Sequence, residues 1–144
     1  MRTIFISVVT AVIFMACKNN DQKQTEVKGG IPVINTNDPT QFTSIQWLDS
    51  LVDFGTVKEG ETKDIQFRFK NTGNKPLVIT SVAPSCGCTV PEFSREPIQP
   101  GKEGFVKAVF NSAGQHATVH KTITVSTNTQ KQTDVIAFIG DVVN

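Results

Sequence analysis

The chain carries little of what a catalyst or a nucleic-acid binder needs. Its 144 residues hold 14 Lys+Arg against 13 Asp+Glu with no basic block, which argues against a polyanionic partner. The G-x-S-x-G, H-E-x-x-H, P-loop and dinucleotide fingerprints are all missing. Beyond residue 16 there is no long apolar run, no convincing helical period and no internal repeat. Three cysteines are present, without the second separated pair that a closed four-ligand zinc site would draw on. The acidic pairs Glu59/Glu61 and Glu92/Glu96 sit in polar, turn-like sequence and read as solvated surface.

What is present begins at the amino end. Arg2 supplies a positive charge, and Ile4 to Ala16 is nearly unbroken apolar sequence, interrupted by Ser7 and Thr10. Such a run is shorter than the roughly 20 residues that a bilayer core of about 30 Å requires, and it matches the hydrophobic region of a signal peptide. Phe14-Met15-Ala16-Cys17 resembles a lipobox, with Phe14 and Met15 replacing the usual aliphatic and small residues. Residues 1–16 are therefore expected to be a lipoprotein signal peptide, and Cys17 the lipidated first residue of the mature chain. Each buried CH₂ of an acyl chain contributes about 0.8 kcal/mol, and two or more chains give stable attachment. Loss of Arg2 with the leader leaves a mature chain with equal numbers of basic and acidic residues.

Residues 17–43 are expected to form a flexible tether. The stretch from Lys18 to Glu26 is polar and aperiodic, and Gly29, Gly30, Pro32 and Pro39 discourage regular structure. As a coil, such a segment would reach roughly 25–30 Å. Residues 44–144 are expected to fold as an immunoglobulin-like antiparallel β-sandwich of about seven strands. In Thr62–Asn71, Ile65, Phe67 and Phe69 alternate with Gln66, Arg68 and Lys70, a period of two that places three large apolar groups on one face. Strands are also expected at Ile45–Leu48, Leu51–Val57, Leu77–Val82, Phe105–Phe110, Val119–Thr127 and Val135–Val143. Phe105–Phe110 is apolar enough to be buried on much of its surface. Gly60, Gly73 and Gly101 mark intervening turns. Trp47 and eight phenylalanines (Phe42, Phe54, Phe67, Phe69, Phe93, Phe105, Phe110 and Phe138) read as core or edge packing.

Cys86-Gly87-Cys88 is the most suggestive chemical element. Export places both thiols where a disulfide can persist. Cysteines two apart on an extended strand lie near the upper edge of the roughly 4.4–6.8 Å Cα separation that a disulfide accepts, and a bend at Gly87 brings them closer. Three readings stay open: a local disulfide or buried thiol pair that fixes the loop after Pro84, a redox-active dithiol, and a thiophilic metal site, with the metal unspecified beyond Cu(I) or Zn(II). His116 and His120 are four residues apart on strand-like sequence, about 13 Å, too far for one ion. They read as exposed strand or turn residues, although either could approach Cys86 or Cys88 across the fold.

Phe54-Gly55-Thr56-Val57, Gly60-Glu61, Phe67-Arg68-Phe69-Lys70-Asn71-Thr72-Gly73, Pro76-Leu77-Val78-Ile79, Ser85-Cys86-Gly87-Cys88-Thr89, Pro100-Gly101 and Gly104 follow one another in order. This series resembles the DUF1573 family of bacterial exported proteins over roughly residues 51–143. In fold it is similar to immunoglobulin-like ASH and major-sperm-protein domains. The resemblance implies export, a β-sandwich and a Bacteroidota-type lipoprotein, and it implies no enzymatic activity. The expectation is a non-catalytic, lipid-anchored binding or structural module of the cell envelope. Its only bound group would be the covalent lipid on Cys17. Its contacts would be the membrane and an envelope protein or glycan. A periplasm-facing site on the outer membrane is favoured over the cell surface, because Lys18-Asn19-Asn20-Asp21 holds a single acid. The alternative is a redox or thiophilic-metal-handling lipoprotein that uses Cys86 and Cys88.

Overall fold

The computed structural model describes residues 38–144, except Cys88 and the side chain of Val90. The expected signal peptide, Cys17 and residues 18–37 of the expected tether lie outside the described residues. Eight strands follow one 3₁₀ turn (Pro39–Gln41): β1 (Ile45–Trp47), β2 (Leu51–Lys58), β3 (Thr62–Asn71), β4 (Ile79–Pro84), β5 (Thr89–Phe93), β6 (Glu103–Asn111), β7 (Ala117–Thr127) and β8 (Thr133–Val143). They form two four-stranded sheets, ordered β1-β3-β6-β5 and β2-β8-β7-β4. This is an immunoglobulin-like sandwich whose first strand is divided. β1 pairs with β3 in one sheet, and the chain then crosses at Leu48–Ser50 so that β2 joins the other.

Three details differ from expectation. β2 runs parallel to β8, so that sheet is mixed rather than purely antiparallel. Parallel pairing follows from the crossover, which carries the chain to the second sheet without reversing it. β5 is an additional strand, paired with β6 through Pro91↔Ala108. A proline inside a short run argues against a strand, but β5 is a sheet edge, where a missing N–H costs no ladder bond. Third, the packed domain begins before residue 44. Asp38 caps the 3₁₀ turn by accepting from the Thr40 N–H, and Thr43 is buried. Residues 38–43 are thus part of the domain rather than tether.

Alternation along the strands builds the core. Ile65, Phe67 and Phe69 of β3 face Ile123 and Val125 of β7 and Ile136 and Phe138 of β8 across the sandwich, all essentially sealed from solvent. Phe54, Phe110 and Phe138 meet as a ring triad with centroids 5.5–6.1 Å apart, which adds directional contact to area burial. Gly104 and Gly140 are required by this packing. A Cβ at Gly104 would stand 2.5 Å from the Phe69 ring, and one at Gly140 would overlap the Phe54 ring. Phe105 is a correction: it points outward from β6 and is 37% exposed. β6 therefore buries only one face, through Val106, Ala108 and Phe110.

Candidate functional site

The Cys-Gly-Cys element lies where the chain leaves β4, an edge of one sheet, for β5, an edge of the other. The Ser85 N–H donates to the Thr122 carbonyl at 2.8 Å. The Thr122 N–H returns a bond to Ser85 Oγ at 3.1 Å. These bonds extend the β4–β7 ladder one residue past Pro84 and fix where the crossover starts. Cys86 is half-buried, with Sγ 3.5 Å from Thr89 Oγ1. Cys86 is disulfide-bonded; the other half of the bond is not among the described residues.

The histidines are not brought together with one another. His120 is exposed on the outward face of β7, opposite Ile139 of β8. His116 lies in the loop before β7, with Nδ1 3.6 Å from Glu59 Oε2 at the surface. Among the described residues, no three His, Cys, Asp or Glu side chains gather as a metal site. Trp47 packs on the β1 edge with its ring 5.3 Å from that of Phe69, edge to face.

Two buried asparagines organise the pole at which the chain enters the domain. The Asn71 amide donates to the Lys75 and Ile98 carbonyls at 2.7 and 2.8 Å. Its oxygen accepts from Thr43 Oγ1 at 2.9 Å and from the Gly73 N–H at 3.0 Å. Asn128 donates to the Gln41 and Pro76 carbonyls and accepts from the Val78 N–H, at 2.8–3.0 Å. Three separate segments, 41–43, 73–78 and the one at Ile98, are latched by two side chains that are wholly out of solvent, and a buried amide with its capacity filled is stabilising. Asn71 and Asn128 stand in Asn-Thr-Gly and Thr-Asn-Thr turn sequences, so the sequence signal was a turn and the latch itself was missed.

The same pole holds Asp134, 9% exposed. Its Oδ1 accepts from Lys131 Nζ at 2.7 Å. Its Oδ2 is buried and has no hydrogen-bond partner. The residue borders a shallow hollow of about 430 Å³ with Thr43, Ser44, Ile45, Thr129 and Gln130. On the outward face of β2-β8-β7-β4, Leu51 is 57% and Val135 61% exposed, beside half-buried Ala137 and Ile139.

The sheet edges are protected. β1 has three residues, and β5 contains Pro91. β4 has a register shift between Ile79 and Ser81 and ends at Pro84. β2 is bulged between Asp53 and Thr56, around Gly55 at φ +75°. Each device discourages edge-to-edge addition.

The family model described as "Protein of unknown function (DUF1573)" matches residues 45–142, and the chain belongs to that family. No curated protein matches it. A protein of unknown function from Porphyromonas gingivalis W83 superposes with a TM-score of 0.62 at 19% identity, covering 76% of this chain and 50% of that one. The chain thus spans half the length of that neighbour. The ASH/PapD-like domain 7 of human CEP192 matches with a TM-score of 0.51 at 13% identity, over 83% of this chain and 97% of the domain. The VesB protease of Vibrio cholerae matches at 0.53 and 12% identity, over 73% of this chain and 32% of the protease. At these identities the likeness is one of fold.

Proposed function

We propose that this member of the DUF1573 family is a non-catalytic, lipid-anchored binding module of the cell envelope. The observation that carries the reading is the exposed pair Leu51 and Val135 at the end of a sheet face where their neighbours are Ala137, Thr122 and Thr124. Apolar side chains gathered on a solvent face favour contact with a partner. The amino-terminal sequence supports the anchor: Cys17 would carry acyl chains, with Phe14-Met15-Ala16 as the processing site. The partner would be an envelope protein or glycan, and the favoured position is the periplasmic side of the outer membrane.

The test is cross-linking in intact cells followed by recovery of the chain from envelope extracts. A partner recovered in fixed ratio, lost when Cys17→Ala releases the chain from the membrane fraction, is the expected result. An unacylated mature terminus, or no partner across several cross-linkers, would overturn the reading. Protease shaving places the domain: protection in intact cells means the periplasmic side, cleavage the surface.

A second reading, redox or thiophilic-metal handling, rests on the bonded Cys86 in a crossover loop. It assigns Cys88 as the other half of that bond. Mass spectrometry before and after reduction, with metal analysis of the purified chain, separates the two. A reduction potential in the oxidoreductase range, or copurified copper or zinc, supports handling, whereas an inert metal-free bond supports a structural staple.

A further inference from the structure

Although the formal edges are blunted, one interior strand is left partly uncovered. β2 runs beside β8 only from Leu51↔Ala137 onward. Thr133-Asp134-Val135-Ile136 pair with β7 alone. The Ala137 N–H donates to the Ser50 carbonyl, so the main-chain groups of Ala137 point toward β2. Main-chain direction alternates along a strand, so those of Val135, two residues earlier, point to the same side, where β2 has not yet begun. Val135 is the most exposed large apolar residue of those described. Beside it lie the hollow and the buried, unpartnered Oδ2 of Asp134. A buried acceptor without a donor is costly, and a ligand that supplies the donor recovers that cost.

We infer that the uncovered start of β8 is a docking strip for an extended polypeptide segment of a partner, which pairs with the main chain of Val135 and donates a hydrogen bond to Asp134 Oδ2. The inference rests on the binding-module reading and names its surface and the partner's chemistry. Main-chain pairing supplies affinity and a side-chain pocket supplies selection, the usual division in strand addition. Asp134 is only partly balanced by Lys131, so the segment would bring a donor side chain (Lys, Asn, Ser or Thr) to the hollow. It would bring a small apolar residue over Val135. The strip is short, so a single segment binds weakly.

The probe is a displayed library of random ten-residue peptides selected against the mature full-length chain. Selected peptides should carry a donor residue at a fixed spacing from an apolar one. Their binding should fall at least tenfold with Val135→Pro, which removes an N–H facing the open side and spares the ladder to β7. Asp134→Asn should alter the donor preference while leaving the apolar position. Because a proline could unsettle β8, amide exchange of the unaltered chain provides an independent reading. The Val135 amide should exchange faster than that of Ile136 in the free chain and become protected when a selected peptide is added. A Val135 amide already protected in the free chain, peptides that bind Val135→Pro equally well, or no enriched peptides would overturn the strip. In-cell cross-links that map to another surface would sink the strip alone, whereas the absence of any partner would sink the module reading with it.

Discussion

On the β1-β3-β6-β5 sheet, the outward positions of β3 are Asp64, Gln66, Arg68 and Lys70, set across from Val109, Lys107, Phe105 and Glu103, and each charge finds an opposite one nearby. Lys70 stands across from Glu103. Lys107 reaches Asp64 at 2.8 Å and stands across from Glu92. Arg68 grips both oxygens of Asp49 at 2.7 and 3.3 Å. On the β2-β8-β7-β4 sheet, the outward positions are Leu51 and Asp53 on β2, Val135, Ala137, Ile139 and Asp141 on β8, and Thr118, His120, Thr122 and Thr124 on β7, so the acids lie toward one end and Val135, Ala137, Thr122 and Thr124 toward the other. The central strands of both sheets, β3 and β6 in one and β7 and β8 in the other, bury their inner faces. Covering the first outer face would strip water from several ions, which is expensive even when they are paired. Covering the end of the second face around Leu51, Val135, Ala137, Thr122 and Thr124 displaces water from methyl and hydroxyl groups, which costs far less. The two exteriors thus differ in how their ions are placed: spread along the first, and kept from the end of the second that holds Leu51 and Val135.

The largest expected effects test whether the two faces of one strand are as distinct as this implies. Phe138→Ala on the inner face of β8 should cost about 3–5 kcal/mol in urea unfolding, from lost burial and the cavity left among Phe54 and Phe110. Its neighbour Ile139→Thr, on the outer face, should stay within about 0.5 kcal/mol. Equal costs at the two positions would mean that the outer face is packed rather than free. Asn128→Ala falls below Phe138→Ala, at about 2–3 kcal/mol, because it leaves the Gln41 and Pro76 carbonyls and the Val78 N–H without their partner. The midpoint of the same unfolding curve reads it, and a shift under about 0.5 kcal/mol would deny the latch.

The inner faces were open to sequence reading, and the outer ones much less so. Ile65, Phe67 and Phe69 alternate with polar neighbours, so period two alone placed them inside. Phe105 was misplaced because β6 is apolar on both sides, and periodicity cannot rank two apolar faces. β5 was hidden by Pro91, whose presence is compatible with a strand only once β5 is known to be an edge. The parallel pairing of β2 depends on a crossover at Leu48–Ser50 that carries no local signature. Asn71 and Asn128 looked like turn residues because their latching role comes from partners up to 87 residues away. Cys86 was legible as a candidate, and its place between two sheet edges was not.

Recognition provides the next test of the comparison. Leu51→Asp combined with Thr124→Asp puts charge at the uncharged end of the second face and should lower recovery of the cross-linked partner at least tenfold, about 1.4 kcal/mol. Arg68→Ala combined with Lys70→Ala on the charged face should leave recovery within twofold. The unfolding midpoint should move little for either pair, since all four side chains point outward. If the two pairs reduced recovery equally, the contrast between the faces would have no bearing on binding.

The smallest expected effect concerns the charged face itself and appears only in acid. The Arg68 side chain, by its hydrogen bond, holds the Asp49 carboxyl below the ordinary value of 3.8; desolvation opposes this, and the Arg68 backbone N–H and charge add smaller lowering effects. A carboxyl whose native value is depressed stabilises the fold at pH above its unfolded value. That contribution fades as pH falls through the lower native value. The difference in unfolding midpoint between the unaltered chain and Asp49→Asn should therefore be constant from neutral pH down to about 5. It should shrink below 3.8 and also shrink in 1 M salt, where screening acts over about 3 Å. A difference that persisted unchanged at pH 2 would show that Asp49 acts through the shape of the Leu48–Ser50 crossover and not through its charge. The outward ions would then be better regarded as pinning the chain where it changes sheets than as a solvated coat.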